Sequence, residues 1–160
     1  MNFVKIFTKR IRAYKARRFI EDIQNKRLLD IGCNDKFFMN SFTSLETAGI
    51  DKIYGQNVEN GLDYQGDYFD YVTMLAVIEH LDNDNKVIKE CYRVLRKNGF
   101  LIITTPFEKA EKFMKLYTIK SLEHKRYFTK KDFEDLDGFE LVHYSKFEFG
   151  LNQLIVLKRI

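Results

Sequence analysis

The sequence predicts an α/β fold, a three-layer sandwich around a mostly parallel sheet with an antiparallel hairpin at its C-terminus. Three observations predict it. Apolar runs at 27–31, 69–78 and 100–106 alternate with stretches of helical apolar rhythm, the pattern of strands joined by helical crossovers. FDYVTMLAVI (69–78) is an unbroken apolar, β-branched and aromatic run, as a central strand covered on both faces requires. The last two runs, FELVHYSKF (139–147) and NQLIVLKRI (152–160), flank Gly150 and pair as a hairpin.

Each element has its own warrant. Residues 3 to 24 carry Phe3, Phe7, Ile11 and Tyr14 along one helical line, then Phe19, Ile20 and Ile23, with Lys and Arg opposite. This basic amphipathic helix sets residues 1–26 apart from a domain spanning 27–160. After the strand 27–31 a helix is expected over 36–48, stopping at Gly49. DKIYGQNV (51–58) is a short strand candidate, and 59–67 reads as loop. Asp82, Asn83 or Asp84 caps a helix with Val87, Ile88, Cys91, Val94 and Leu95 on one face, ending at Asn98-Gly99. A helix from Glu108 to Tyr117 follows the strand 100–106. Thr129 with Asp132 then resembles a capping box.

The 160 residues suit one domain with a real core. Hydrophobic content of 45% with a single proline, Pro106, excludes disorder, and the 15 Phe and 9 Tyr must fill much of the core in the absence of Trp. No apolar run approaches the roughly 18 residues of a membrane span. No secretory signal is present, so Cys33 and Cys91 read as reduced thiols of a cytoplasmic chain. The net charge of +4 is uneven: residues 1–27 hold nine Lys/Arg against Glu21 and Asp22, a local +7, which leaves −3 for the remainder. A solvated face on a helix packed against the sheet is the first reading of that segment. Peripheral contact of residues 1–24 with an anionic membrane is the second, and nucleic acid the third.

LLDIGCNDKFF (28–38) runs a strand into Asp30 and Gly32. In doubly wound sheets ligands sit at the carboxyl ends of strands where strand order reverses, so this end and that of MLAVIEH (74–80) should share one crevice. Asp30 is placed to receive N–H groups, and Gly32 lets a ligand approach the backbone. A nucleoside-cradling turn would carry further glycines at 34 and 36, where Asn34 and Lys36 stand. Asn tolerates a left-handed backbone; Lys does so less readily. The plain alternative is a strand-to-helix turn with no ligand.

LLDIGCND, FDYVTMLAVIEHL, YRVLRKNGFLIITTP and EHKRYFTKKDFEDL…GFELV stand in the order and spacing of the class I S-adenosylmethionine-dependent methyltransferases. The chain resembles the type 11 group of that family over residues 27–157. The resemblance implies a Rossmann-like sheet whose first loop, here Asp30, Gly32, Cys33, Asn34 and Asp35, holds the methionine part of S-adenosylmethionine, with Leu75 and Ala76 as the other wall. That family also places an acid at the end of its second strand to grip the ribose hydroxyls. Aligning KIYGQNV with that strand puts Asn57 at the position, with Glu59 as substitute; aligning it with the third strand is the open alternative. Asp70 follows Gly32 by only 38 positions, so the sheet is reduced by about one β–α unit.

Some relatives carry E-x-x-E-H at the place of AVIEHL (76–81) and bind a divalent metal there with a later His. Ala76 replaces the first acid, so Glu79 and His80 are expected to anchor the loop without a metal. His80 and His124 are the candidate proton acceptors. The expected reaction is methyl transfer to an oxygen or nitrogen of a small-molecule, envelope-, glycan- or lipid-linked acceptor. The rival is a non-catalytic binding module or scaffold, favoured by the altered loop, the missing acid and the shortened sheet.

Overall fold

The computed structural model describes residues 3–107 and 124–160, with side chains described from residue 6 onward in the first helix. Its elements are α1 (Phe3–Arg17), β1 (Arg27–Ile31), β2 (Glu46–Ile50), β3 (Phe69–Leu75), α2 (Asp84–Val94), β4 (Leu95–Pro106), α3 (Lys131–Glu134), β5 (Phe139–Phe147) and β6 (Asn152–Arg159). The helix expected over 108–117 lies outside the described residues.

One six-stranded sheet runs in the order β2-β1-β3-β4-β6-β5. The first four strands are mutually parallel, and β6 is antiparallel to both β4 and β5. The hairpin therefore folds back: β6 inserts beside β4 and β5 forms the edge. Strand order reverses between β1 and β3, which opens a crevice at their carboxyl ends.

Side-chain alternation splits the core between the two faces of the sheet. Leu29, Ile31, Val72, Met74, Leu101 and Ile103 face α2 and its Val87, Ile88, Cys91 and Val94, with Phe128 and Phe133 completing that layer. Leu28, Tyr71, Ile102, Leu154 and Val156 face the opposite way, onto Ala13, Ala16 and Ile20 and the loop residues Phe38, Phe42 and Leu45. Asn83 caps α2 by accepting the Lys86 N–H at 3.0 Å, and Asp132 accepts the Thr129 N–H and hydroxyl at 2.7 Å ahead of α3.

Several expectations are corrected. The helix expected over 3–24 ends at Arg17, the strand expected over 69–78 ends at Leu75, and the helix expected to end at Asn98-Gly99 ends at Val94, where Leu95 opens β4. The helix predicted over 36–48 is reduced to a single 3₁₀ turn, Met39–Ser41, and its last residues form β2. Phe38, Met39, Phe42 and Leu45 are buried as the helical pattern demanded, but the Asp22 carboxylate takes the N–H groups of Thr43, Ser44 and Leu45 out of reach of a helical ladder. Those backbone donors, Ser44 foremost, hold the Asp22 carboxyl at about 2. The strand candidate 51–58 is instead two 3₁₀ turns, Lys52–Tyr54 and Val58–Asn60, separated by Gly55 at φ 76°. Finally, α1 packs through Ala13 and Ala16, and Phe7 and Tyr14 remain 66% and 67% exposed. Small side chains let the helix lie close to the sheet, and the aromatic line points away from it. The side chain of Phe3 lies outside the described residues.

Candidate cofactor and acceptor site

The loop after β1 keeps a left-handed residue at every second position: Gly32 at φ 77°, Asn34 at 45° and Lys36 at 59°. A backbone path normally made by glycines is thus drawn with Asn and Lys. Lys36 has a Cβ penalty of about 1–2 kcal/mol in that region, so its neighbours must hold it there. They do so by named contacts. The Lys36 N–H donates to the Cys33 carbonyl at 2.7 Å, and its ammonium lies 4.9 Å from the centre of the Tyr54 ring. The Tyr54 hydroxyl donates to the Asn34 carbonyl at 2.6 Å. At Gly32 an added Cβ would stand 2.3 Å from Val77 Cγ2, so the loop and the end of β3 touch where only glycine fits.

Asp51 follows β2 directly. Its Oδ2 accepts the Asn34 N–H at 2.8 Å and its Oδ1 accepts the Ile53 N–H at 3.0 Å. This acid, rather than Asn57 or Glu59, ends the second strand. Asn57 caps a 3₁₀ turn by accepting the Glu59 N–H, and Glu59 accepts the N–H groups of Asp82 and Asn83 at 2.8 and 2.9 Å. Asn57 is engaged within its own turn, and Glu59 ties that segment to the start of α2. The sequence did carry a signal for Asp51: an acid about twenty residues beyond a strand-end glycine is the spacing at which α/β folds meet ribose hydroxyls.

The remaining loop residues occupy distinct settings. Asp30 is buried and accepts the Thr73 hydroxyl at 2.7 Å from the neighbouring strand. Burial pushes its carboxyl up to about 7, against the opposing effect of that hydrogen bond. Cys33 is buried with its thiol raised, also by desolvation first. Asp35 is exposed and paired with Lys9 of α1. Across the crevice, Leu75 ends β3 and Ala76 is held at φ 60° by donating its N–H to the Thr104 carbonyl at 2.8 Å. A non-glycine residue held there is the kind of local strain that clusters at functional sites.

Glu79, His80 and His124 meet just beyond β3. Each offers one ligand atom, and these atoms lie within 4.8 Å of one another. The two imidazole rings stand 5.1 Å apart although 44 positions separate them, because the Lys125 N–H donates to the Glu79 carbonyl at 2.8 Å. His124 Nδ1 lies 3.1 Å from the Tyr127 hydroxyl. Glu79 is 1% exposed, and its Oε2 has no hydrogen-bond partner among the described residues. Desolvation raises its carboxyl; His80 and Arg12 act against that. Arg12 reaches this point from α1, its own guanidinium lowered by burial and favoured by Glu79 and Glu148. Two imidazoles and a carboxylate form a set that can move a proton or hold a transition-metal ion.

The residues present fit the cofactor the sequence pointed to: a loop with a glycine-like backbone at 32, 34 and 36, the buried Asp30 near the end of β1 and Asp51 just past β2 stand together at the carboxyl ends of neighbouring strands.

Comparisons with known proteins agree with that geometry. Residues 4–143 match the family described as "Methyltransferase domain". A ubiquinone biosynthesis O-methyltransferase of Pelagibacter ubique (strain HTCC1062) is 26% identical over 115 residues, covering 59% of this chain and 48% of that one. The chain spans about half the length of the curated relatives it matches. Among solved structures, a SAM-dependent methyltransferase from Aquifex aeolicus superposes with a TM-score of 0.70 at 14% identity, covering 95% of this chain and 93% of that one. The [4+2]-cyclase SpnF superposes at 0.67 with 13% identity over 94% and 80% of the two chains. The chain belongs to the methyltransferase-domain family, and S-adenosylmethionine is the cofactor expected of it.

Proposed function

We propose that the protein transfers a methyl group from S-adenosylmethionine to an oxygen or nitrogen of a small or lipid- or glycan-linked acceptor. The observation that carries this is the left-handed Gly32–Asn34–Lys36 path with Asp51 locked against it. The path is kept although Lys36 is costly there, with the Cys33 carbonyl and the Tyr54 ring holding it in place.

In this reading Asp30, Gly32, Cys33, Asn34 and Asp35 form the methionine side, Asp51 meets the ribose hydroxyls, and Leu75 and Ala76 form the far wall. The cofactor supplies a methyl group already activated on a sulfonium. The chain has to align the acceptor and remove its proton. His80 and His124 are the proton acceptors, with Glu79 holding His80 in a fixed charge environment. We place the reaction in the cytoplasm; among the described residues no helix is long and apolar enough to cross a membrane. Names of relatives support oxygen as the acceptor atom without fixing the molecule.

A second reading is favoured by one observation, the likeness to a cyclase on the same scaffold. It is a domain of this fold that does not transfer methyl groups. Incubating the full chain with S-adenosylmethionine and panels of phenols, amines and lipid extracts, and assaying S-adenosylhomocysteine, separates the two. Product above background that falls at least tenfold in His80→Ala and His124→Ala supports transfer. Product unchanged by both variants removes the assigned roles.

A further inference from the structure

α1 has two working faces. Its inner face packs Ala13 and Ala16 on the sheet, pairs Lys9 with Asp35 and sends Arg12 toward Glu79. Its outer face carries Phe7, Arg10 and Tyr14, spaced three and four residues apart, which is one line along a helix, and Arg18 follows in the turn just past its end. All four are exposed. Among the described residues Arg10, Lys15 and Arg18 make no ion pair, whereas Lys9, Arg17, Lys26 and Arg27 are each matched by a carboxylate. The unpaired cations are thus gathered beside the exposed rings.

A second feature lies against the Thr8–Arg12 flank of the same helix. The tip of the β5–β6 hairpin bears Phe149, fully exposed and at φ 58°, next to Glu148 at φ 51°. Glu148 takes a hydrogen bond from the Thr8 hydroxyl and lies near Arg12, so the tip sits against α1. A bare phenyl ring on a strained tip gains nothing from the fold it stands on.

We propose that the outer face of α1 and the Phe149 tip form a docking surface for an anionic lipid bilayer, with Phe7, Tyr14 and Phe149 entering the interface and Arg10, Lys15 and Arg18 meeting headgroup phosphates. Charge complementarity selects this occupant: the N-terminal segment leaves Arg10, Lys15 and Arg18 without an ion pair among the described residues, while residues 28–160 sum to −3. Aromatic rings interleaved with cations suit the boundary between headgroups and acyl chains better than a uniformly polar phosphate ladder. The proposal does not rest on methyl transfer, and its test is independent of turnover.

The test is co-sedimentation of the full chain with vesicles of phosphatidylcholine alone and of phosphatidylcholine with phosphatidylglycerol, at low and high salt. The expected result is binding to the anionic vesicles only, weakened by salt and at least tenfold lower in Arg10→Glu/Arg18→Glu. Phe149→Ser and Phe7→Ser/Tyr14→Ser should lower it severalfold with thermal unfolding unchanged, since all three rings are exposed. Equal partition to both vesicle types, no binding, or binding indifferent to these substitutions overturns the proposal. Tighter retention on duplex DNA than on vesicles overturns it in favour of nucleic acid. Concentration-dependent self-association abolished by Phe7→Ser/Tyr14→Ser overturns it in favour of a second copy.

Discussion

The carboxylate of Asp51 accepts the backbone N–H of Asn34 at 2.8 Å, so the end of β2 holds the β1 loop by its middle. That one bond joins the two segments that would face the methionine and ribose ends of the cofactor. It also leaves the second carboxylate oxygen of Asp51 on the Ile53 N–H at 3.0 Å, which fixes the acid in place.

Replacing Asp51 should therefore weaken S-adenosylhomocysteine binding by about 10- to 150-fold, the equivalent of one charge-assisted hydrogen bond of about 1.5–3 kcal/mol. Asn57→Asp should give no gain, because Asn57 serves the Glu59 N–H instead. Fluorescence or calorimetric titration of both variants checks this. A gain from Asn57→Asp with no loss from Asp51→Asn would return the ribose role to residue 57.

Lys36 and Asn34 share a left-handed backbone but not its cost. Lys36→Gly should stabilise the protein by about 0.5–1 kcal/mol, the relieved Cβ strain less the added freedom of the unfolded chain. Asn34→Gly should change little, since Asn visits that region readily. Urea unfolding of the two variants is the measurement. A destabilised Lys36→Gly would mean that the ammonium over Tyr54 outweighs the strain.

Gly32→Ala places its Cβ against Val77 Cγ2, at 2.3 Å in the present geometry, and at φ 77°. The variant should lose about 1–3 kcal/mol of stability along with cofactor binding. Adding Val77→Ala removes the steric part, and a double-mutant cycle should show coupling of about 1 kcal/mol or more. Strict additivity would place the clash elsewhere.

The Asp30 carboxyl, raised to about 7 by burial, gives a pH dependence of unusual sign. In the unfolded chain it ionises near 4; in the folded chain it keeps its proton until about 7. The folded state binds more protons across that window, so this group's contribution to stability is greatest below pH 4, falls as pH rises toward 7, and is constant above. Asp30→Asn should flatten that decline in a series of thermal unfolding curves between pH 4 and 8. A wild-type curve already flat after the other carboxylates are allowed for would contradict the assignment. Asp22 has the opposite sign: its carboxyl, held at about 2 by the Ser44, Thr43 and Leu45 amides, contributes above pH 4 and loses that contribution as pH falls toward 2.

Much of the sheet was legible because strand burial leaves a clear trace: FDYVTML of the 69–78 run, FLIITTP and the final hairpin are strands, although the first stops at Leu75 and the second begins earlier, at Leu95. The stretch 36–58 was not. Phe38, Met39, Phe42 and Leu45 have helical spacing, and only the distant Asp22 carboxylate, which captures three consecutive N–H groups, turns that stretch away from a helix. The misplaced strand put Asn57 at the strand end where the structure has Asp51. The aromatic line of α1 misled for a related reason. Spacing identifies a face but not which face packs, and Ala13 and Ala16 win because their small side chains admit close approach. Tolerance of a left-handed backbone at Asn34 was readable from residue type; the same conformation at Lys36 was not, since it is supported by the local turn to the Cys33 carbonyl and by the distant Tyr54 ring.

The most direct test of the central claim is a calorimetric titration of the full chain with S-adenosylmethionine and S-adenosylhomocysteine, beside Gly32→Ala and Asp51→Ala. The loop and its acid predict saturable one-site binding by the unmodified chain, weakened at least tenfold in each variant. No heat of binding at millimolar cofactor, or binding unchanged by both substitutions, would contradict a working cofactor site between β1 and β2.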